Sequence, residues 1–251
     1  MIAGDPMIQK RKRYLLFPVL GGIGFLLRLT QLKFGFEHGT GLAAAAFPPG
    51  IALVAAAGIL CFAAFAAARM LPPQTPPFLP PHRRAARAVH AAAGSLTALM
   101  GVLLLPSGLG GNRMDLLLAL ISLCTALYLI LAPFAEKGLR TFAFFEYTLF
   151  YTAWLAVLFS RHASDPVLMG FWPPLLALCA AAFSFYLLSC AACGIAKPRR
   201  TLFFLLAGGS LCLIAAADGC TPSAAPYFCG FLAAALMQFF YADQLLFRAT
   251  T

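Results

Sequence analysis

Eight apolar stretches, each about as long as a bilayer is thick, divide this chain, and nothing between them is long enough to form a separate domain. A helix rising ~1.5 Å per residue needs about 20 residues to cross a hydrocarbon core. The stretches run over residues 14–33, 48–69, 86–105, 115–134, 141–160, 173–196, 202–217 and 226–246. In lipid every backbone N–H and C=O must be satisfied within its own segment, which leaves the helix as the spanning form for isolated apolar runs. Only 10% of the 251 residues are charged, where a water-soluble domain carries about 25%. The expected fold is therefore all-α: a polytopic transmembrane helical bundle of about eight spans, with residues 1–251 forming one integral membrane domain.

The breaks between spans are as informative as the spans. Lys10, Arg11, Lys12 and Arg13 precede the first one. A basic start before an apolar run also describes a secretory leader, with the alanines at 43–46 as its cleavage region. The run is too long for that and contains Arg28, so it reads as a retained first helix. Pro48-Pro49 and Pro173-Pro174 stand at expected helix starts, where a missing N–H costs nothing. The seventh stretch is the shortest.

Lysine and arginine sort strongly when alternate breaks are assigned to opposite sides. One side holds Lys10, Arg11, Lys12, Arg13, Arg69, Arg83, Arg84, Arg87, Lys137, Arg140, Lys197, Arg199, Arg200 and Arg248; the other holds Arg28, Lys33, Arg113 and Arg161. Basic residues accumulate on the cytoplasmic side, so the reading is N-in and C-in, in a cell membrane. The formal charge of +10 then serves orientation and attraction to anionic lipid headgroups. It does not form the basic face that nucleic acid requires, and nucleic acid is excluded as a partner. A membrane-protein partner or a second copy of the chain stays open. The proline-rich inner break LPPQTPPFLPPHRR favours polyproline II and reads first as a stiff strap between spans two and three, second as a docking ligand.

Small residues supply close helix contact, which matters more than hydrophobicity between helices in lipid. Gly21, Gly22 and Gly24 thin the first span, and Ala57, Cys61, Ala64 and Ala68 recur on one face of the second. Gly208, Cys212 and Ala216 repeat at intervals of four in the seventh, as Gly230, Ala234 and Gln238 do in the eighth. Most of the eight cysteines lie within apolar runs, where a thiol packs as a small soft group; a Cys220–Cys229 bridge is less favoured than two free thiols.

Ionisable groups inside spans are the candidate chemistry. Arg28 is close enough to its boundary to snorkel outward, and Asp115 and Asp218 fall at span ends. His90, Glu146 and Asp243 are predicted at similar depth near the inner face, either as a proton relay or cation cluster or as separate ion pairs, Glu146 with Arg87 or Arg140. Tyr147, Tyr151 and Trp154 follow along one side of the fifth span, with Thr148 and Thr152 on another. Outside, Glu37 and His38 in LKFGFEHGTGL have His162 and Asp165 as distant partners for an outer site; adjacent side chains diverge in extended chain, which weakens chelation by that pair alone. Cys190 and Cys193 form a CxxC without a second ligand pair.

No HExxH or GxSxG is present, and LPSGLG at 105–110 has Leu109 where a lipid phosphatase would need histidine. No catalytic residue, cofactor or metal is therefore assigned. RLTQLKFGFEHGTGL resembles a stretch near the first helix of uncharacterised multi-pass bacterial membrane proteins in which a GFxxxTGL-like loop recurs, here Gly35, Phe36, Thr40, Gly41 and Leu42. The resemblance implies a helical bundle and brings no activity with it. The functional expectation is a small-solute or ion transporter, or a membrane subunit of one; the alternative is a non-transporting scaffold or accessory protein.

Overall fold

The computed structural model describes residues 14–36, 47–71, 83–134, 137–162, 168–221 and 224–248. All eight expected spans are helices: α1 Leu16–Phe34, α2 Pro48–Arg69, α3 Arg83–Leu109, α4 Arg113–Leu131, α5 Lys137–His162, α6 Leu168–Ala192, α7 Pro198–Ala216 and α8 Ala225–Arg248. Each is long and apolar enough to cross a membrane. The protein is an all-helical, multi-pass membrane protein.

Several helices are longer than hydropathy predicts, because polar residues continue a helix without adding to its apolar count. α3 begins at Arg83 and runs past Pro106 to Leu109. α6 opens at Leu168, so Pro173 and Pro174 lie inside it and not at its start; transmembrane helices tolerate such prolines where neighbouring groups take up the freed carbonyls. α7 starts at Pro198 and continues as a 3-10 turn, Ala217–Cys220. The shortest predicted span thus becomes a 23-residue crossing.

α7 is the axis of the bundle. Of its most apolar window 78% is buried, against 28% for α1 and for α2. It packs against α1, α2, α6 and α8, while α8 also packs along α3. Residue pairs give the helix directions. Phe17 meets Ser210 and Arg28 meets Asp218, so α1 and α7 run parallel. His90 meets Tyr241, while Gly230 lies between Met100 and Trp154, so α8 runs antiparallel to α3 and α5.

The α3–α4 hairpin shows how close approach is built. Gly94, Gly101 and Gly108 recur every seven residues, and a Cβ on any of them would press into Ile130, Leu123 or the Leu116 backbone, the last at 2.7 Å. The hairpin turns through Gly111, whose φ of +110° favours glycine. Asn112 then caps α4 by accepting from Asp115 N–H at 3.3 Å. Of the expected alanine row on α2, Ala57, Ala64 and Ala68 are buried, but Leu60 replaces the half-buried Cys61 on that face. All eight cysteines are free, with Cys220 exposed and Cys229 buried.

Candidate functional site

Two ion pairs form at one end of the bundle. Arg28 is not the snorkelling residue the sequence suggests: its side chain is 0% exposed. It belongs to the face of α1 formed by Phe17, Gly21, Gly24, Arg28 and Gln31, all buried. That face lies on α7, where Nη2 and Nε donate to the two carboxylate oxygens of Asp218 at 2.6 and 3.2 Å, and Nη1 donates to Gln31 Oε1 at 2.8 Å. The guanidinium fork therefore finds a bidentate carboxylate after entering the protein and not the headgroups.

A second ion pair joins α3, α4, α5 and α8 at the same end. Asp115 accepts from Ser107 Oγ at 2.6 Å and from Asn112 Nδ2 at 2.7 Å, and it pairs with Arg161. Arg161 also donates to the Tyr227 hydroxyl. The carboxylate stands in the first turn of α4, where the helix dipole favours negative charge. With these donors around it the cluster is satisfied, and its chemistry is that of a clamp.

From that clamp a polar seam follows α8 toward the opposite end. The Trp154 ring stacks on Tyr227, and Tyr151 lies against Phe185 with its hydroxyl directed at Gly230 O at 3.4 Å. One turn further along α5, the Tyr147 hydroxyl is turned toward Thr97 of α3. That contact falls short of hydrogen-bond geometry, leaving Tyr147 Oη without a partner among the described residues. Thr97 itself donates to Ala93 O at 2.9 Å. The seam ends where His90 Nε2 and the Tyr241 hydroxyl lie 2.6 Å apart, with the Phe144 ring edge-on to Tyr241. Tyr227 and Tyr241 are fourteen positions apart, about 21 Å along a helix, or some two thirds of a ~30 Å hydrocarbon core.

Beside the seam, Gln238 is 0% exposed between α7 and α8. Cys212 Sγ donates toward Ala177 O at 3.8 Å, which leaves the sulfur to accept from Gln238 Nε2 at 3.7 Å. The amide oxygen is consequently turned onto Gly208, where it occupies the place a Cβ would take. Gln238 Oε1 has no hydrogen-bond partner among the described residues.

Of the residues singled out from sequence, His90 and Glu146 turn to different described partners. His90 is buried and turned to Tyr241. Glu146 is half-buried and turned to α4, accepting from Thr125 Oγ1 at 3.4 Å. Two positions along a helix are about 200° apart, so with Phe144 against Tyr241, Glu146 faces away from it; Asp243 is half-buried, two positions beyond Tyr241 on α8. Thr148 and Thr152 bond to carbonyls of their own helix. Glu37, His38 and Asp165, and the proline-rich break at 72–82, lie outside the described residues, as does the side chain of His162. Cys190 is half-buried and Cys193 exposed at the end of α6. Among the described residues no three His, Cys, Asp or Glu side chains gather as a metal site would need.

Sequence reasoning missed Arg28–Asp218, Tyr241 and Gln238 as parts of polar networks. For Arg28 the signal was available, since positions 17, 21, 24, 28 and 31 share one face with two glycines. Compared with protein-family models, curated proteins and solved structures, the chain matches none.

Proposed function

We propose that this protein is a membrane carrier for a small polar solute or ion, or the membrane subunit of one. The supporting observation is the row of polar side chains along α8, half-buried at Tyr227 and buried beyond it: Tyr151, Tyr147 with no partner among the described residues, and His90 with Tyr241. A bundle that only has to stand in lipid gains little from polar groups at that depth, because interhelical hydrogen bonds in membranes contribute only ~0.6 kcal/mol on average. An orphaned hydroxyl costs about 1–3 kcal/mol. A permeant that bonds to such groups in passing gives them a purpose. In this reading the seam is closed by Trp154 and Met100 around Gly230 and clamped by Asp115, Arg161 and Tyr227. The basic His90 end faces the cytoplasm and its anionic lipids, in an N-in, C-in arrangement.

The test is reconstitution into sealed liposomes, followed by stopped-flow light scattering under gradients of urea and glycerol, with a trapped pH dye for proton flux. Flux above that of protein-free vesicles, reduced in Tyr147→Phe and Tyr151→Phe, supports the carrier. Flux equal to protein-free vesicles for all three permeants returns the chain to the scaffold reading, for which the dense aromatic packing of Phe150, Trp154, Phe185 and Phe231 speaks.

A further inference from the structure

The solute class follows from Gln238. We infer that Gln238 is the recognition residue of this carrier and that it selects a small neutral solute able both to donate and to accept a hydrogen bond, such as an amide or a polyol. The inference rests on the carrier reading above and deepens it.

A primary amide has two N–H donors and an acceptor oxygen with two lone pairs. Here one N–H is given to a thiol sulfur, a weak acceptor, at 3.7 Å. The oxygen is held against a glycine methylene, a contact worth little beside an N–H donor. The amide is 0% exposed, with most of its bonding capacity thus unmet among the described residues. Its direct described contacts are Gly208 and Cys212, behind which lie Ala180 and Ala177, with Tyr151 close to Cys212. None of them carries charge. An ion brought there would lose its hydration without a counter-charge, at a cost of several kcal/mol. A neutral donor–acceptor solute loses much less and matches the amide group for group.

The same contacts define the movement that admits it. A Cβ on Gly208 would strike Gln238 Oε1 and come within 3.3 Å of Ala180 Cβ. The amide is therefore covered by α7 itself, and a solute reaches it only when α7 draws away from α8. Gly208 and Gly209 are consecutive in the middle of α7, and each weakens a helix by about 1 kcal/mol relative to alanine. That places the softest point of the central helix over the amide.

The experiment compares wild type, Gln238→Leu and Gln238→Met in liposomes, with urea and glycerol as neutral probes and choline as a charged one; circular dichroism and size-exclusion profiles report folding. The expected result is wild-type flux of at least one neutral probe, no choline flux, and a fall of about tenfold in both folded variants, corresponding to two lost hydrogen bonds. Wild-type flux that both variants retain overturns the role of Gln238 while leaving the carrier reading intact. Choline flux comparable with the neutral probes overturns the solute class. Failure of both variants to fold identifies Gln238 as a packing residue and overturns the inference. Absence of any wild-type flux removes the carrier reading, and this inference with it.

Discussion

Substituting either partner of the Arg28–Asp218 pair should destabilise the protein unequally. Removing one member of a buried ion pair costs about 3–5 kcal/mol, because the other charge is left uncompensated. The structure decides where in that range each change falls. Arg28 is 0% exposed, whereas the Asp218 side chain retains 22% of its surface. In Arg28→Met the surviving carboxylate still reaches water, so the loss should lie near 3 kcal/mol, about two decades in the unfolding equilibrium. In Asp218→Asn the guanidinium, 0% exposed, keeps its bond to Gln31 but loses its bidentate carboxylate, and the loss should be the larger of the two, up to about 5 kcal/mol. The double variant Arg28→Met/Asp218→Leu replaces both charges by apolar groups and should recover to within about 2 kcal/mol of wild type. Reversible urea unfolding in mixed micelles, followed by Trp154 and Trp172 fluorescence, gives all four corners of the cycle. Single losses below 1 kcal/mol, or a double variant whose loss equals the sum of the singles, would refute the buried-pair account.

Other contacts make equally concrete expectations. Gly108→Ala places a Cβ against the Leu116 backbone at 2.7 Å, which cannot rotate aside; a loss of about 1–3 kcal/mol is expected in the same unfolding assay, and none for Gly22→Ala, which meets nothing within 4 Å. Tyr241→Phe removes the hydroxyl 2.6 Å from His90 and should cost about 1 kcal/mol, visible as a lowered thermal midpoint in detergent. Membrane-impermeant maleimide should label exposed Cys220 in spheroplasts and reach exposed Cys193 only after permeabilisation. The reverse pattern inverts the N-in assignment.

What could be read from the sequence was whatever depends on one helix at a time. The spans were legible because lipid penalises each unpaired backbone group locally, and a helix settles that account without help from its neighbours. Their ends were read short, as at Arg83 and Pro198, because hydropathy stops counting where a basic side chain begins. Sequence reasoning set His90 near Asp243 by depth but did not name the Tyr241 hydroxyl, two positions before Asp243, that His90 meets. Rotation about the helix axis was not legible. Glu146 and Phe144 sit at nearly the same depth, yet only Phe144 meets Tyr241, and phase of that kind depends on which helices become neighbours. The α3 glycines carried a signal of phase that sequence reasoning passed over, since a strict seven-residue recurrence fixes a face without naming the partner it meets. Arg28 was misread by weighing its depth and ignoring its face.

The 190 residues between Arg28 and Asp218 also set a timetable. Ribosomes add about 5–20 residues per second, so α1 leaves the ribosome roughly 10–40 s before Asp218 exists. During that interval the helix has the lowest mean hydropathy of the eight, shared closely with α8, and an arginine that opposes insertion by about 2.5–3.5 kcal/mol when deep. Its final seat on α7 therefore belongs to the end of biogenesis, and a chain stopped before Asp218 would leave its first helix the most exposed to membrane quality control.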